Sequence, residues 1–159
     1  MLRKVITYTD FDGKEQQTVA YFNLNKTECV DMNLEYEADG GLIGHLRQLV
    51  LAKKDGEELK KPAVDFIKLI IEKSYGVRPK DNPSVFLKED EDGKPLFRKF
   101  KQSAAYDKYV FDLLSGEESL DEFASGVLPQ MSEEQQKEAK KVLEEEGLAE
   151  LVEPDLYEV

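Results

Sequence analysis

One cysteine, one histidine and no tryptophan occur among 159 residues, and each scarcity excludes a class of function. With Cys29 alone, no internal disulfide forms, which fits a reducing cytoplasm. Zinc sites draw several ligands from cysteine and histidine, and Cys29 with His45 is too few. Basic residues are in deficit: 22 Lys and Arg against 34 Asp and Glu give a formal charge of −12. Phosphate binding needs a cationic face, and an anionic membrane repels a chain of this sign, so neither nucleic acid nor membrane is an expected partner. Long apolar runs are missing as well. Nothing approaches the roughly 20 residues of a membrane span, and the start, Met1 to Thr7, has no apolar core of signal-peptide length. The expectation is a protein that stays where it is made, its charge serving solubility or a basic partner.

Catalytic motifs are equally sparse. There is no Gly-rich phosphate loop and no nucleophile elbow. Asp90-Glu91-Asp92-Gly93 resembles part of a calcium loop, but aligning Gly93 with the loop glycine puts Lys88 and Lys99 at the first and last ligand positions. Asp10-Phe11-Asp12-Gly13 lacks a third acidic ligand before its glycine. Both segments read as acidic turns. His45 falls at the edge of an apolar helical face beside Leu42 and Leu49, which suits a structural or surface histidine. Cys29 reads as a small hydrophobe. The expectation is no enzyme, with no catalytic residue, cofactor or metal; a carboxylate-based, metal-dependent nuclease is the enzymatic alternative.

What the chain does have is periodicity, carried by eight Phe, seven Tyr and many aliphatic residues. Leu2 to Tyr8 and Gln17 to Leu24 are β-prone and flank Asp10 to Lys14, where Asp-Gly supports the positive φ of a tight turn, so residues 1–24 read as a β-hairpin. Residues 27–129 read as mostly helical. Thr27 is placed to cap a helix through Glu37, which Gly40-Gly41 breaks. Leu42, Ile43, Leu46, Leu49 and Val50 then recur at helical spacing. Pro62 suits a first helical turn, and Ala63, Phe66, Ile67, Ile70 and Ser74 share the face of what should be a central helix, with Gly76 as its stop. Residues 77–102, interrupted by Pro79, Pro83 and Gly93, form either a second small hairpin of Val85–Leu87 with Leu96–Arg98 or a loop pinned by its Phe residues. Ser103 can cap a helix carrying Tyr106, Tyr109, Val110, Leu113 and Leu114 on one face. Ser119 to Glu122 has the pattern of a capping box before Leu120, Phe123, Ala124 and Val127, and Pro129 closes the unit.

Beyond Pro129 the composition shifts. Residues 130–159 hold ten acidic and three basic side chains, −7 of the total charge, with a thin apolar stripe. The predicted fold is therefore α+β and predominantly α-helical. It has an N-terminal β-hairpin, a compact bundle of short helices completing a domain over 1–129, and an acidic C-terminal helical arm over 130–159. Phe97, Phe100, Tyr106, Tyr109 and Phe111, with that arm, are the ingredients of a binding surface.

One series of short motifs points further. Ser74-Tyr75-Gly76-Val77-Arg78-Pro79-Lys80-Asp81 is followed by Phe86-Leu87-Lys88, then by Phe100-Lys101-Gln102-Ser103-Ala104-Ala105-Tyr106, and finally by Phe123-Ala124-Ser125-Gly126-Val127-Leu128-Pro129. The order and spacing over about residues 27 to 129 resemble the tail assembly chaperones of long-tailed bacteriophages (siphoviruses). Tyr75, Gly76, Arg78, Asp81, Phe86, Phe100, Ser103, Tyr106, Phe123, Gly126 and Pro129 carry that resemblance. Each has a structural reading: Gly76 as a left-handed helix end, Arg78 with Asp81 as an ion pair, Ser103 as a cap, Tyr106 and Phe123 as packing anchors, and Gly126 with Pro129 as an exit turn. The resemblance implies a protein without catalysis that acts in the host cytoplasm and is absent from the mature virion. It implies binding to the tape measure protein, which is kept soluble until tail tube protein polymerises around it; because one small domain covers only a short stretch of such a partner, self-association in multiple copies is expected as well. The alternative is a virion structural protein, such as a head–tail connector or minor tail component.

Overall fold

The computed structural model describes residues 1–37, 40–54, 56 and 58–129. Along the chain run β1 (Leu2–Thr9), β2 (Glu15–Phe22), α1 (Lys26–Glu35), α2 (Gly41–Lys54), α3 (Lys61–Ser74), β3 (Tyr75–Gly76), α4 (Phe97–Lys101), α5 (Ala104–Ser115) and α6 (Leu120–Val127). The fold is α+β, with a three-stranded antiparallel sheet in the order β1-β2-β3 and six helices among the described residues. Two compact units share the chain. The first consists of Met1–Asn23 and Lys60–Ser119, the second of Leu24–Leu59 and Leu120–Val159. The acidic helical arm expected over 130–159 lies outside the described residues.

The first unit starts from the hairpin. Its strands pair from Leu2↔Phe22 to Thr9↔Glu15 without a bulge, and alternation turns Ile6, Ala20 and Phe22 inward. The turn is built by Asp10. Its backbone N–H donates to the Lys14 carbonyl at 2.8 Å, and its carboxylate accepts from the N–H groups of Asp12 and Lys14, both at 2.9 Å. Gly13 sits at φ +82°, a conformation side chains resist. The same arrangement recurs eighty positions on. Asp90 accepts from the Asp92 and Lys94 N–H groups at 2.9 Å, with Gly93 at φ +77°. Both acidic segments are thus turns of one type, Asp-x-Asp-Gly-Lys, in which the first aspartate binds its own backbone.

α3 takes Pro62 in its first turn and buries Phe66, Ile67, Ile70, Ile71 and Ser74. Its end departs from the expectation. The chain leaves the helix at Tyr75 in extended conformation, and Tyr75–Gly76 pairs with Tyr21–Phe22 as a third strand. Gly76 has no positive φ; it is small because Phe86 lies on it. Residues 77–96 are held by Val77↔Leu87 and Glu89↔Pro95 bridges around the Asp90 turn. Phe97 and Arg98 belong to α4, not to a strand paired with Val85–Leu87, because the chain turns into a helix right after Pro95. Ser103 caps α5 by accepting from the Tyr106 N–H at 3.2 Å, and Gly116 ends it.

The second unit packs α1 on α2 and α2 on α6. α1 starts earlier than Thr27 predicts. Asn25 is the cap, accepting from the Glu28 N–H at 2.8 Å while the Glu28 carboxylate accepts from the Asn25 N–H at 3.0 Å. This reciprocal capping box satisfies two helix-end donors, whereas Thr27 is already inside the first turn. The helix ends at Glu35 rather than Glu37. Asn33 then receives the Leu42 N–H at 2.7 Å, at the start of α2. Leu24, Met32, Leu42, Leu46, Leu49, Leu120, Phe123, Ala124, Val127 and Leu128 are buried, while the Val50 side chain lies outside the described residues. The His45 ring lies 4.9 Å from that of Tyr36.

Candidate functional site

The sheet, α3, α4 and α5 of the first unit enclose a cluster of aromatic rings. Phe22 stacks on Tyr109 at 5.4 Å, and Tyr75 stacks on Phe100 at 4.3 Å with planes 3° apart. Tyr106 meets Phe97 and Phe100 edge-on, both at 5.7 Å. Such pairs contribute about 0.5–1.5 kcal/mol each beyond the area they bury. Phe22, Phe97, Phe100 and Tyr109 are buried; Tyr106 is half-buried, at the rim of the cluster. Burial raises the Tyr75 phenol above its ordinary value; burial and then the Glu72 carboxylate raise that of Tyr106.

Above the cluster the surface opens into two adjoining grooves. One, of about 500 Å³, lies between α3, α4 and α5, with Leu69, Phe97, Tyr106, Val110 and Leu114 as its apolar lining and Asp65, Lys68 and Glu72 along one side. The other, of about 1020 Å³, lies between the hairpin tip and the start of α5 and includes Tyr8, Phe11, Ser103 and Lys108. Lys101, Asp107 and Phe111 line both. Phe111 is 65% exposed and Phe11 is 87% exposed. Large aromatic rings left in water at the mouth of a groove are the usual material of a contact surface. The grooves are apolar with charged edges. Among the described residues no group of three or more His, Cys, Asp or Glu side chains is placed to hold a metal ion, and no helix is long and apolar enough to cross a membrane.

The residues singled out from sequence divide between the two units. Tyr75, Gly76, Phe86, Phe100, Ser103 and Tyr106 gather in the first. An added Cβ on Gly76 would lie 2.6 Å from two ring carbons of Phe86. Arg78 makes no ion pair with Asp81 among the described residues; its guanidinium lies 5.9 Å from the centre of the Tyr21 ring. The β3 pairing carries Arg78 alongside β2, which is why a neighbour across the sheet replaces the neighbour in sequence. Phe123, Gly126 and Pro129 belong to the second unit, where Phe123 is buried.

Sequence reasoning passed over Phe11 and Phe22 and quoted Lys88 only within a motif, with no role of its own. The Lys88 ammonium donates to the Lys73 carbonyl at 2.7 Å, at the end of α3, and to the Asn23 carbonyl at 2.8 Å. A cation there satisfies helix-end oxygens and suits the negative end of the helix dipole. Nothing local marks Lys88 for that position. Phe11 did carry a signal: an aromatic at a turn tip has no part in the turn's own chemistry.

These residues serve packing and line the grooves, and the chain that carries them matches one known family. The family described as phage tail assembly chaperone matches residues 1–158. No curated protein and no solved structure gives a match. With the match spanning nearly the whole chain, the protein belongs to the phage tail assembly chaperone family.

Proposed function

We propose that this chaperone binds the tape measure protein and keeps it soluble until tail tube protein polymerises around it. The observation that carries the reading is the pair of grooves with Phe11 and Phe111 in solvent at their mouths. A tape measure is a long helical chain whose apolar stripes have no partner before the tube closes, and exposed stripes of that kind aggregate. A groove of apolar floor and charged edges covers a short stretch of such a helix in the helix-in-groove manner. The charge of −12 keeps the covered complex in solution. One small protein covers little of an extended partner, so several copies act together, and binding strength comes from their number while each contact stays weak enough for tube subunits to displace. The work is done in the host cytoplasm, without catalysis, and the protein is absent from the finished particle.

The test is co-expression with the tape measure protein of the same phage. A soluble complex with many copies of this chain per partner is expected, and Phe111→Ser with Phe11→Ser should reduce recovery. An insoluble tape measure with no complex at low salt overturns the reading. Stoichiometric presence of this chain in purified virions favours the structural alternative, a connector or minor tail component.

A further inference from the structure

The sheet of the first unit is covered by packing on one face, where Ile6, Ala20 and Phe22 turn inward and Phe22 stacks on Tyr109 of α5. Its other face is in water, and the alternation of an antiparallel sheet ordinarily places polar side chains there. This face breaks that rule. Val5 and Val19 are cross-strand partners on it and are 43% and 42% exposed. Tyr21 lies two residues along from Val19, opposite Arg3 on one side and Gly76 on the other. Phe86 covers Gly76 from the same side, since the Cβ that this glycine lacks would point into its ring. Four apolar side chains thus occupy the water side of three strands.

Charge on this face has one sign. Arg3 stands opposite Tyr21 in the pairing, the Arg78 guanidinium lies 5.9 Å from the centre of the Tyr21 ring, and the Lys88 ammonium lies 5.9 Å from that of Phe86. The only carboxylate in either long strand is Glu15, at the turn end opposite Thr9. The feature is local. Met1–Asn23 with Lys60–Ser119 carries fifteen basic and fourteen acidic side chains, a net of +1, whereas Leu24–Leu59 with Leu120–Val159 carries seven and twenty, a net of −13. A nearly neutral unit therefore keeps its acids off one apolar strip. None of Arg3, Val5, Val19, Tyr21, Arg78 and Phe86 lines either groove, so this is a second surface.

We propose that the outer face of the sheet docks an acidic amphipathic helix of a partner protein, with aliphatic side chains on Val5, Val19 and Tyr21 and carboxylates at Arg3 and Arg78. A sheet with an apolar face buries it against another layer, and a helix supplies one. A guanidinium stacked over a ring still presents its N–H edge, and that edge matches a carboxylate in two-bond geometry. A basic helix meets like charge on the same strip, so occupants are sorted by sign. The site adds a partner to the tape-measure reading without depending on it.

The experiment uses the full chain, observed by NMR at its valine methyl groups and tyrosine rings. The probes are two synthetic peptides with the same leucines at i, i+3, i+4 and i+7, flanked by Glu in one and by Lys in the other. The Glu peptide should shift the Val5 and Val19 signals and bind at least about tenfold more tightly than the Lys peptide. The difference should fade at about 1 M salt, where charges act over about 3 Å. Val5→Thr/Val19→Thr keeps β-branched side chains on the strands and should abolish the Glu-peptide shift at Tyr21. Arg3→Glu/Arg78→Glu should exchange the preference, so that the Lys peptide now shifts Val5 and Val19, a gain that misfolding does not produce. The proposal is overturned if neither peptide moves these signals, if both move them equally, or if the double Glu variant keeps the wild-type preference. Broadening confined to Val5 and Val19 as the protein alone is concentrated also overturns it, because a second copy then occupies the face. Groove binding is read at Phe11 and Phe111, so this proposal and the tape-measure reading fail separately.

Discussion

A methyl group on Gly76 would sit 2.6 Å from two Phe86 ring carbons and 2.8 Å from the Leu87 carbonyl oxygen. The carbonyl belongs to a bridge that hydrogen-bonds Val77 to Leu87 in both directions, so backbone as well as ring must move. Gly76→Ala should therefore cost about 1–3 kcal/mol, the range for overpacking a filled site, measured by urea unfolding; a change under about 0.5 kcal/mol would place Phe86 elsewhere. Asp10 makes a prediction of a different kind. Hydrogen bonds to its ionised carboxylate, from the Lys14 N–H first and the Gln16 amide next, hold it below the ordinary carboxylate range. A depressed folded value means the stabilisation is present above the unfolded value and is lost as pH falls through the folded one. A carboxyl NMR titration should find Asp10 the lower-titrating partner when compared with an unstructured aspartate. Asp10→Asn should remove that step from the acid dependence of the hairpin signals.

At the scale of elements, α5 has two kinds of face. Tyr109 is buried and stacked on Phe22, whereas Phe111, two positions on, is 65% exposed. Tyr109→Ala should cost about 3–5 kcal/mol, as large aromatic truncations in cores do. Phe111→Ser should change stability by no more than about 0.5 kcal/mol while weakening partner binding. Denaturant melts of both variants check the first statement, and pull-down by co-expressed tape measure the second. Tyr106, which the sequence places with Tyr109 on one apolar face, is half-buried at the groove rim, so Tyr106→Ala should fall between them. The reason is geometric: Tyr106 closes the ring cluster from its edge against Phe97 and Phe100. Among the described residues its outer side lines the groove.

At the scale of the molecule, charge and packing are separable. Among the described residues burial continues through α6 to Leu128, just past its end, while −7 of the −12 lies beyond Pro129. Deleting residues 130–159 brings the net charge to −5 and keeps every buried residue of α6. The truncated protein should unfold cooperatively by circular dichroism, with a solubility minimum nearer neutral pH. Non-cooperative melting would show that residues after Pro129 belong to the core.

Much of the local structure was legible in the sequence. The Asp-Gly turn of the hairpin, Pro62 in the first turn of α3 and the Ser103 cap follow from chemistry within four residues of each position. The apolar stripes of α3, α5 and α6 are legible for the same reason, because helical spacing alone sorts one face from another. The candidate site was legible only as ingredients. Which aromatic faces the core and which faces water, Tyr109 or Phe111, depends on whether another element brings a ring to meet it, and Phe22 arrives from a strand 87 positions away. The third strand at Tyr75–Gly76 needs β2 to supply a free edge. Lys88 needs carbonyls 15 and 65 positions distant, and Arg78 exchanges Asp81 for the Tyr21 ring once the sheet forms. The unequal division of charge is invisible in a net charge of −12 and emerges only when the chain is partitioned into its two units. Turn chemistry and periodicity act between near neighbours and can be read along the chain, whereas burial and charge clustering are set by residues far apart that only folding brings together.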